Sequence, residues 1–138
     1  LLCLPYGLGG YGLPEPRLNY RVDVPPSFRA MADRKHCACD QCWPESKLAA
    51  EYDSELHHVD PERRESDARR RSTLIALGFT VITVFPGHIT DSGTFNRLAR
   101  QVAKLTGKRL RYHDPEFTRK HLELREQLLE NLWEGARA

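Results

Sequence analysis

The stretch Cys37-Ala-Cys-Asp-Gln-Cys-Trp-Pro-Glu-Ser-Lys-Leu-Ala-Ala-Glu-Tyr-Asp53 decides how this chain is read. Cys37 to Trp43 reads as one strand and Lys47 to Asp53 as a second, with Pro44-Glu45-Ser46 supplying a tight antiparallel turn. A turn centred between Glu45 and Ser46 predicts that Asp40 faces Glu51 directly, with Cβ atoms about 5 Å apart. Asp53 falls on the same face as Glu51, because side chains repeat every second residue along a strand. Two carboxylates placed opposite each other repel unless something positive sits between them. A hard divalent cation with oxygen ligands, Mg²⁺ or Mn²⁺, answers that need. The plain alternative is three solvated acids on an open sheet face.

Upstream of the hairpin, Leu18 to Val24 alternates apolar and polar residues, the pattern of a half-buried strand, and Pro25-Pro26-Ser27 breaks it. Downstream, Ser54 to Asp60 is a polar loop carrying His57 and His58. Pro61 opens a helix at its favoured first-turn position and Gly78 stops it; its apolar side appears late, at Leu74, Ile75 and Leu77. Phe79 to Phe85 is β-branched and largely apolar, which predicts a strand covered on both faces, terminated by Pro86-Gly87. A second helix spans about 91–106, with Phe95, Leu98, Val102 and Leu105 on one side and Gly107 closing it. Asp114-Pro115 starts a third, whose Phe117, Leu124, Leu128 and Leu132 form a narrow seam for packing within the chain or for a homodimer contact. The predicted fold is α/β: a three-stranded antiparallel meander with a helical crossover to a parallel fourth strand, flanked by helices. Residues 1–17 read as an irregular lead-in, 18–106 as the core domain and 107–138 as a C-terminal helical extension.

A chain of 138 residues is long enough for one domain with a real core. Its net charge of +2 does not by itself mark a nucleic-acid binder. Arg63, Arg64, Arg69, Arg70 and Arg71 crowd one segment, and Lys104, Lys108, Arg109 and Arg111 another. Such runs usually solvate helix faces; they support a polyanion partner only if they border the acidic cluster. Cys3, Cys37, Cys39 and Cys42 do not make a secreted disulfide framework. With His36 or His57 the last three could complete a zinc set, but a second Cys-x-x-Cys or His pair is lacking and strand alternation splits Cys39 from Cys42. Reduced, partly buried thiols and a cytoplasmic setting follow. No apolar run approaches the roughly 20 residues of a membrane span. Leu1-Leu-Cys-Leu4 lacks the basic flank of a signal peptide. Without an initiator methionine the chain reads as a trimmed domain, with an additional N-terminal segment or domain upstream.

In this order and spacing, Asp40, Trp43-Pro44, Glu51-Tyr-Asp53-Ser-Glu-Leu-His57, then Asp67, Arg70, Leu74, Gly78 and Val81 carry a resemblance. Over about residues 12–106 the chain resembles the PD-(D/E)XK nuclease superfamily with its restriction-endonuclease-like fold, and within it small proteins related to the very-short-patch repair endonuclease. Those relatives show an Asp, a Pro-containing hairpin, Glu-x-Asp-Gly-x-x-His, then Asp-x-x-Arg-x-x-x-Leu-x-x-x-Gly-x-x-Val; Gly12-Leu-Pro-x-Pro16 is similar to their lead-in. The resemblance implies a metal-dependent endonuclease that hydrolyses DNA phosphodiesters by water attack, with Mg²⁺ or Mn²⁺ as cofactor. It implies Asp40 and Glu51 as the metal pair, with Asp53 adding a ligand where many members place a lysine. It implies His57 as a phosphate-holding or general acid–base residue, and Arg70, with Arg64 on the same helix, as nucleic-acid contacts, although Arg70 could equally pair with Asp67. Ser54 departs from the family glycine, so a turn of positive φ would be made by a residue that tolerates it poorly. The helix that usually precedes the first strand is also absent. Trp43 and Tyr52 lie near the site but read as ordinary sheet packing. Two competing functions are a catalytically silent module whose arginine-rich helix holds nucleic acid or a partner protein, for example beside a toxin–antitoxin domain, and a zinc-stabilised structural domain.

Overall fold

The hairpin forms in the register its turn residues predict. The computed structural model describes residues 1–32, 34–54, 60–111 and 113–137, the side chains of 131–137 excepted. Strand β1 (Arg17–Asp23) is followed by a short helix α1 (Arg29–Ala32), then β2 (His36–Trp43) and β3 (Leu48–Tyr52). Helix α2 (Pro61–Ala76) leads to β4 (Thr80–Val84), and helices α3 (Pro86–Thr90), α4 (Ser92–Thr106) and α5 (Pro115–Arg137) complete the order. The sheet runs β1-β2-β3-β4, antiparallel across the first three strands and parallel between β3 and β4. The chain divides into two units, residues 16–95 with the whole sheet, and residues 1–15 with residues 96 onward.

Trp43 pairs with Leu48, Cys42 with Ala49 and Gln41 with Ala50. A 3₁₀ turn over Pro44–Ser46 closes the hairpin, and Lys47 at φ 47° reverses the chain into β3. The ladder is broken at one place. Asn19, at φ 49°, leaves its pairing with β2, although Leu18–Gln41 and Tyr20–Cys39 keep one register around it. Asp40, opposite the gap, is likewise absent from the β2–β3 ladder. This departure from the regular pleat corrects the expected separation of the cysteines. Cys37, Cys39 and Cys42 all lie in one buried cluster with Val24, Ala32, Ala49 and Leu74. It also turns Leu18 out to solvent, 68% exposed, where strict alternation would place it with Tyr20 and Val22.

Asp60 caps α2 by accepting from the Glu62 N–H at 3.2 Å, with Pro61 in the first turn. The early turns are charged and exposed; Thr73 and Leu74 are the buried anchors near the end. Gly78 at φ 91° lets the chain reverse, so that Phe79 N–H reaches Leu74 C=O at 3.0 Å and β4 starts at once. β4 lies at one edge of the sheet, and its burial corrects the prediction of cover on both faces: Ile82 is buried and its neighbours are only half-buried or exposed. The strand buried throughout is β3, from Leu48 to Glu51, where small Ala49 and Ala50 lie close under their neighbours. Pro86-Gly87 ends β4 as expected and opens α3. Asp91 then caps α4, its Oδ2 accepting from Thr94 N–H at 2.7 Å.

In the other unit, the lead-in is tied to α5. Tyr6 stacks on Phe117 with ring centroids 5.2 Å apart, Tyr11 packs at 5.3 Å from the same ring, and His121 Nδ1 lies 2.7 Å from Gly9 C=O. The buried face of α5 is Phe117, His121 and Arg125, with Leu124 half-buried and Leu128 43% exposed, so the expected leucine seam is replaced by a partly polar one. Leu132 lies among the residues whose side chains are not described. Among the described residues no helix is long and apolar enough to cross a membrane.

Candidate functional site

Because β3 lies between β2 and β4, its last inward side chain, Glu51, is carried into the interior and is 5% exposed. Among the described residues, neither Glu51 carboxylate oxygen has a hydrogen-bond partner. Arg70 Nη2 stands 3.2 Å from Oε2, close enough for an ion pair but outside hydrogen-bond alignment. Burial pushes the Glu51 carboxyl above its ordinary value; Arg70 pulls it back, nearby Asp40 pushes it up again, and the net direction is upward. The same guanidinium donates from Nη1 to Ala38 C=O at 3.1 Å and lies 3.6 Å from Asp67, so it fastens α2 to β2.

Asp40 is exposed on β2, and its Oδ2 accepts from Tyr52 N–H at 3.0 Å. A side-chain carboxylate thus serves a β3 amide at the place where the ladder is missing. Asp53 is exposed just past β3, where its N–H extends the sheet to Val84 C=O at 2.9 Å.

A cleft of about 480 Å³ opens here, lined by Glu51 to Ser54 at the end of β3, by one face of α2 and by Phe85 at the end of β4. Arg64, Asp67, Ala68 and Arg71 recur at helical spacing and form that face. Arg64 and Arg71 stand two turns apart, about 10 Å along the helix axis. The arginine-rich run therefore borders the acids.

The structure brings Asp40 and Glu51 together and sets Asp53, Arg64 and Arg70 around the same cleft. Among the described residues, however, no three His, Cys, Asp or Glu side chains gather in a way that could hold a metal ion. His57 lies outside the described residues. Ser54 is not among the residues of positive φ, so its position does not demand a glycine. Trp43, 4% exposed, is sheet packing as expected, whereas Tyr52 is 52% exposed and lines the cleft. Arg71 and Phe85 were not singled out from the sequence; the seven-residue interval from Arg64 was the available signal for the first, and the position of Phe85 at a strand end before Pro86 for the second.

The cysteines are free thiols, and Cys37, Cys39 and Cys42 are buried. Burial, with Cys42, Glu51 and Cys37 adding to it, pushes the Cys39 thiol up to about 12. No family model, curated protein or solved structure matches this chain.

Proposed function

We propose that this chain is a metal-dependent endonuclease domain with a restriction-endonuclease-like core, hydrolysing phosphodiester bonds in DNA. The observation that carries the reading is Glu51: a buried carboxylate lacking a hydrogen bond, beside Asp40, at a cleft whose wall is lined with arginine. A group so placed is costly to the fold and is characteristic of sites that bind something.

The donor set fits a hard cation. Mg²⁺ and Mn²⁺ accept one or two carboxylates and complete their shells with water and substrate phosphate. Asp40 and Glu51 would hold the ion, with Asp53 within the same cleft; when bound, it supplies Lewis-acid polarisation of the phosphate and a more acidic water. The rest belongs to the chain. Arg64 and Arg71 attract and orient the phosphodiester backbone. Arg70 sets a positive charge beside the Glu51 carboxylate. The test is cleavage of supercoiled plasmid and single-stranded DNA with Mg²⁺ or Mn²⁺. Asp40→Ala and Glu51→Ala should each abolish cleavage, as should EDTA; cleavage that survives both substitutions overturns the proposal.

A second reading, a catalytically silent module that holds nucleic acid, is favoured by the Arg70–Glu51 contact, which already gives the carboxylate a positive partner. On that reading Glu51→Ala leaves nucleic-acid affinity unchanged and the wild type cuts nothing.

A further inference from the structure

Phe85 belongs to two grooves at once. One is the cleft of acids and arginines; the other, of about 630 Å³, continues over Pro86, Gly87, His88 and Thr90. The charge on the second groove's described lining is Asp91, whose carboxylate is engaged by Thr94 through N–H at 2.7 Å and Oγ1 at 2.5 Å. A carboxylate repels phosphate, so the second groove suits an uncharged, flat group. Two aromatic rings line it: Phe85 and His88 stack with centroids 5.8 Å apart at an interplanar angle of 16°. Phe85 N–H donates to His88 Nδ1 at 2.9 Å, which holds the two residues in that arrangement.

A second aromatic stands at the neighbouring strand end. Tyr52 pairs with Val84 in the parallel ladder, so Tyr52 and Phe85 occupy adjacent strand termini, and both line the cleft. Arginines that attract phosphates, on α2, thus share one cleft with rings at the strand ends on which bases can lie. We propose that the cleft and its adjoining groove take one unpaired nucleic-acid strand, with phosphates against Arg64 and Arg71 and bases against Tyr52 and Phe85. This rests on the nucleic-acid reading above and adds the substrate class. In a duplex both faces of a base are covered by its neighbours, so only an unpaired or flipped-out base can lie on these rings.

The test is fluorescence anisotropy on the whole chain in EDTA, with a labelled single-stranded oligodeoxynucleotide and the same sequence as duplex. The single strand should bind at least roughly tenfold more tightly, and Phe85→Leu should lose roughly tenfold for the single strand alone. Tyr52→Leu, at an exposed position that cannot unfold the core, should weaken single-strand binding in the same selective way. Replacing Arg64 and Arg71 by Gln should weaken both forms. Equal affinity for duplex and single strand, or full affinity in both aromatic variants while the arginine dependence persists, overturns this inference and leaves the nucleic-acid reading standing. Absence of any salt- and arginine-dependent binding by the wild type overturns both.

Discussion

The Arg70 guanidinium, 3.2 Å from Glu51, supplies the positive charge that the neighbouring carboxylates of Asp40 and Glu51 require. The requirement follows from strand register alone; the group that meets it comes from the crossover helix, which sequence spacing does not bring to the hairpin. Arg70→Ala removes the positive partner of a buried carboxyl and should cost on the order of 3 kcal/mol at neutral pH. Urea denaturation of a double-mutant cycle with Glu51→Gln measures this: the loss should shrink substantially when Glu51→Gln is already present. Equal losses in both backgrounds would refute the coupling.

Glu51 itself should be a stability liability. Its carboxyl is raised in the fold, so ionising it opposes folding once pH exceeds the unfolded value of 4.5 and rises through the folded one. Below 4.5 Glu51 is neutral in both states and the penalty vanishes. Glu51→Gln should therefore stabilise the protein by about 1 kcal/mol at pH 8, or about 4 °C in melting temperature, and the gain should fade as pH is lowered toward 4.5. A gain independent of pH, or a loss at pH 8, would contradict this.

The order of the strands and long helices was legible because punctuation residues stand where they act: Pro61 and Gly78 bound α2, and Pro44 with Ser46 makes the hairpin turn, whereas the short α1 and α3 were not read. The hairpin register could be read for the same reason, since the turn fixes every pair behind it. What could not be read was the break at Asn19 and Asp40, because positive φ at a non-glycine residue is a local choice that binary patterning does not carry. The cysteine cluster followed that break. Edge or centre position was hidden too. The β-branched run of Thr80–Val84 reads as interior but lies at the margin, whereas Leu48–Tyr52, with two alanines and a glutamate, is the buried strand. Of the site, the acids and Arg64 were legible; the aromatic wall depended on tertiary exposure.

His121 makes the second unit sensitive to acid. Burial lowers its pKa most, hydrogen bonding to Gly9 partly restores it, and the Arg125 charge lowers it further. The neutral ring is thus the native form, with its Nδ1–H donated to the Gly9 carbonyl. Its contribution to stability is complete above the unfolded value of 6.5 and is lost as pH falls through 6.5 toward the depressed folded value. Melting temperature from pH 8 to pH 5 should drop more steeply for the wild type than for His121→Gln. Parallel curves would refute the assignment.

Gly9 has no room for a side chain. At φ 97°, an added Cβ would lie 2.4 Å from the Lys120 carbonyl oxygen in α5. Gly9→Ala should cost about 2 kcal/mol or more, read by chemical denaturation, while Gly7→Ala, where a Cβ meets nothing within 4 Å, should be close to neutral.

The buried thiols should be silent. In native protein at pH 8, iodoacetamide should leave Cys37, Cys39 and Cys42 unmodified, and all should react in urea. Rapid native labelling of Cys39 would contradict its burial and its elevated pKa.

Gly9 meets His121 across 112 positions of sequence, whereas every strand of the sheet lies within residues 17–84. During synthesis, the strands can pair while the partner of the opening segment is still untranslated. The ribosome therefore imposes an order: the sheet first, then the union of the early aromatics with a helix made much later. Until then Tyr6 and Tyr11 remain without the Phe117 ring they pack on.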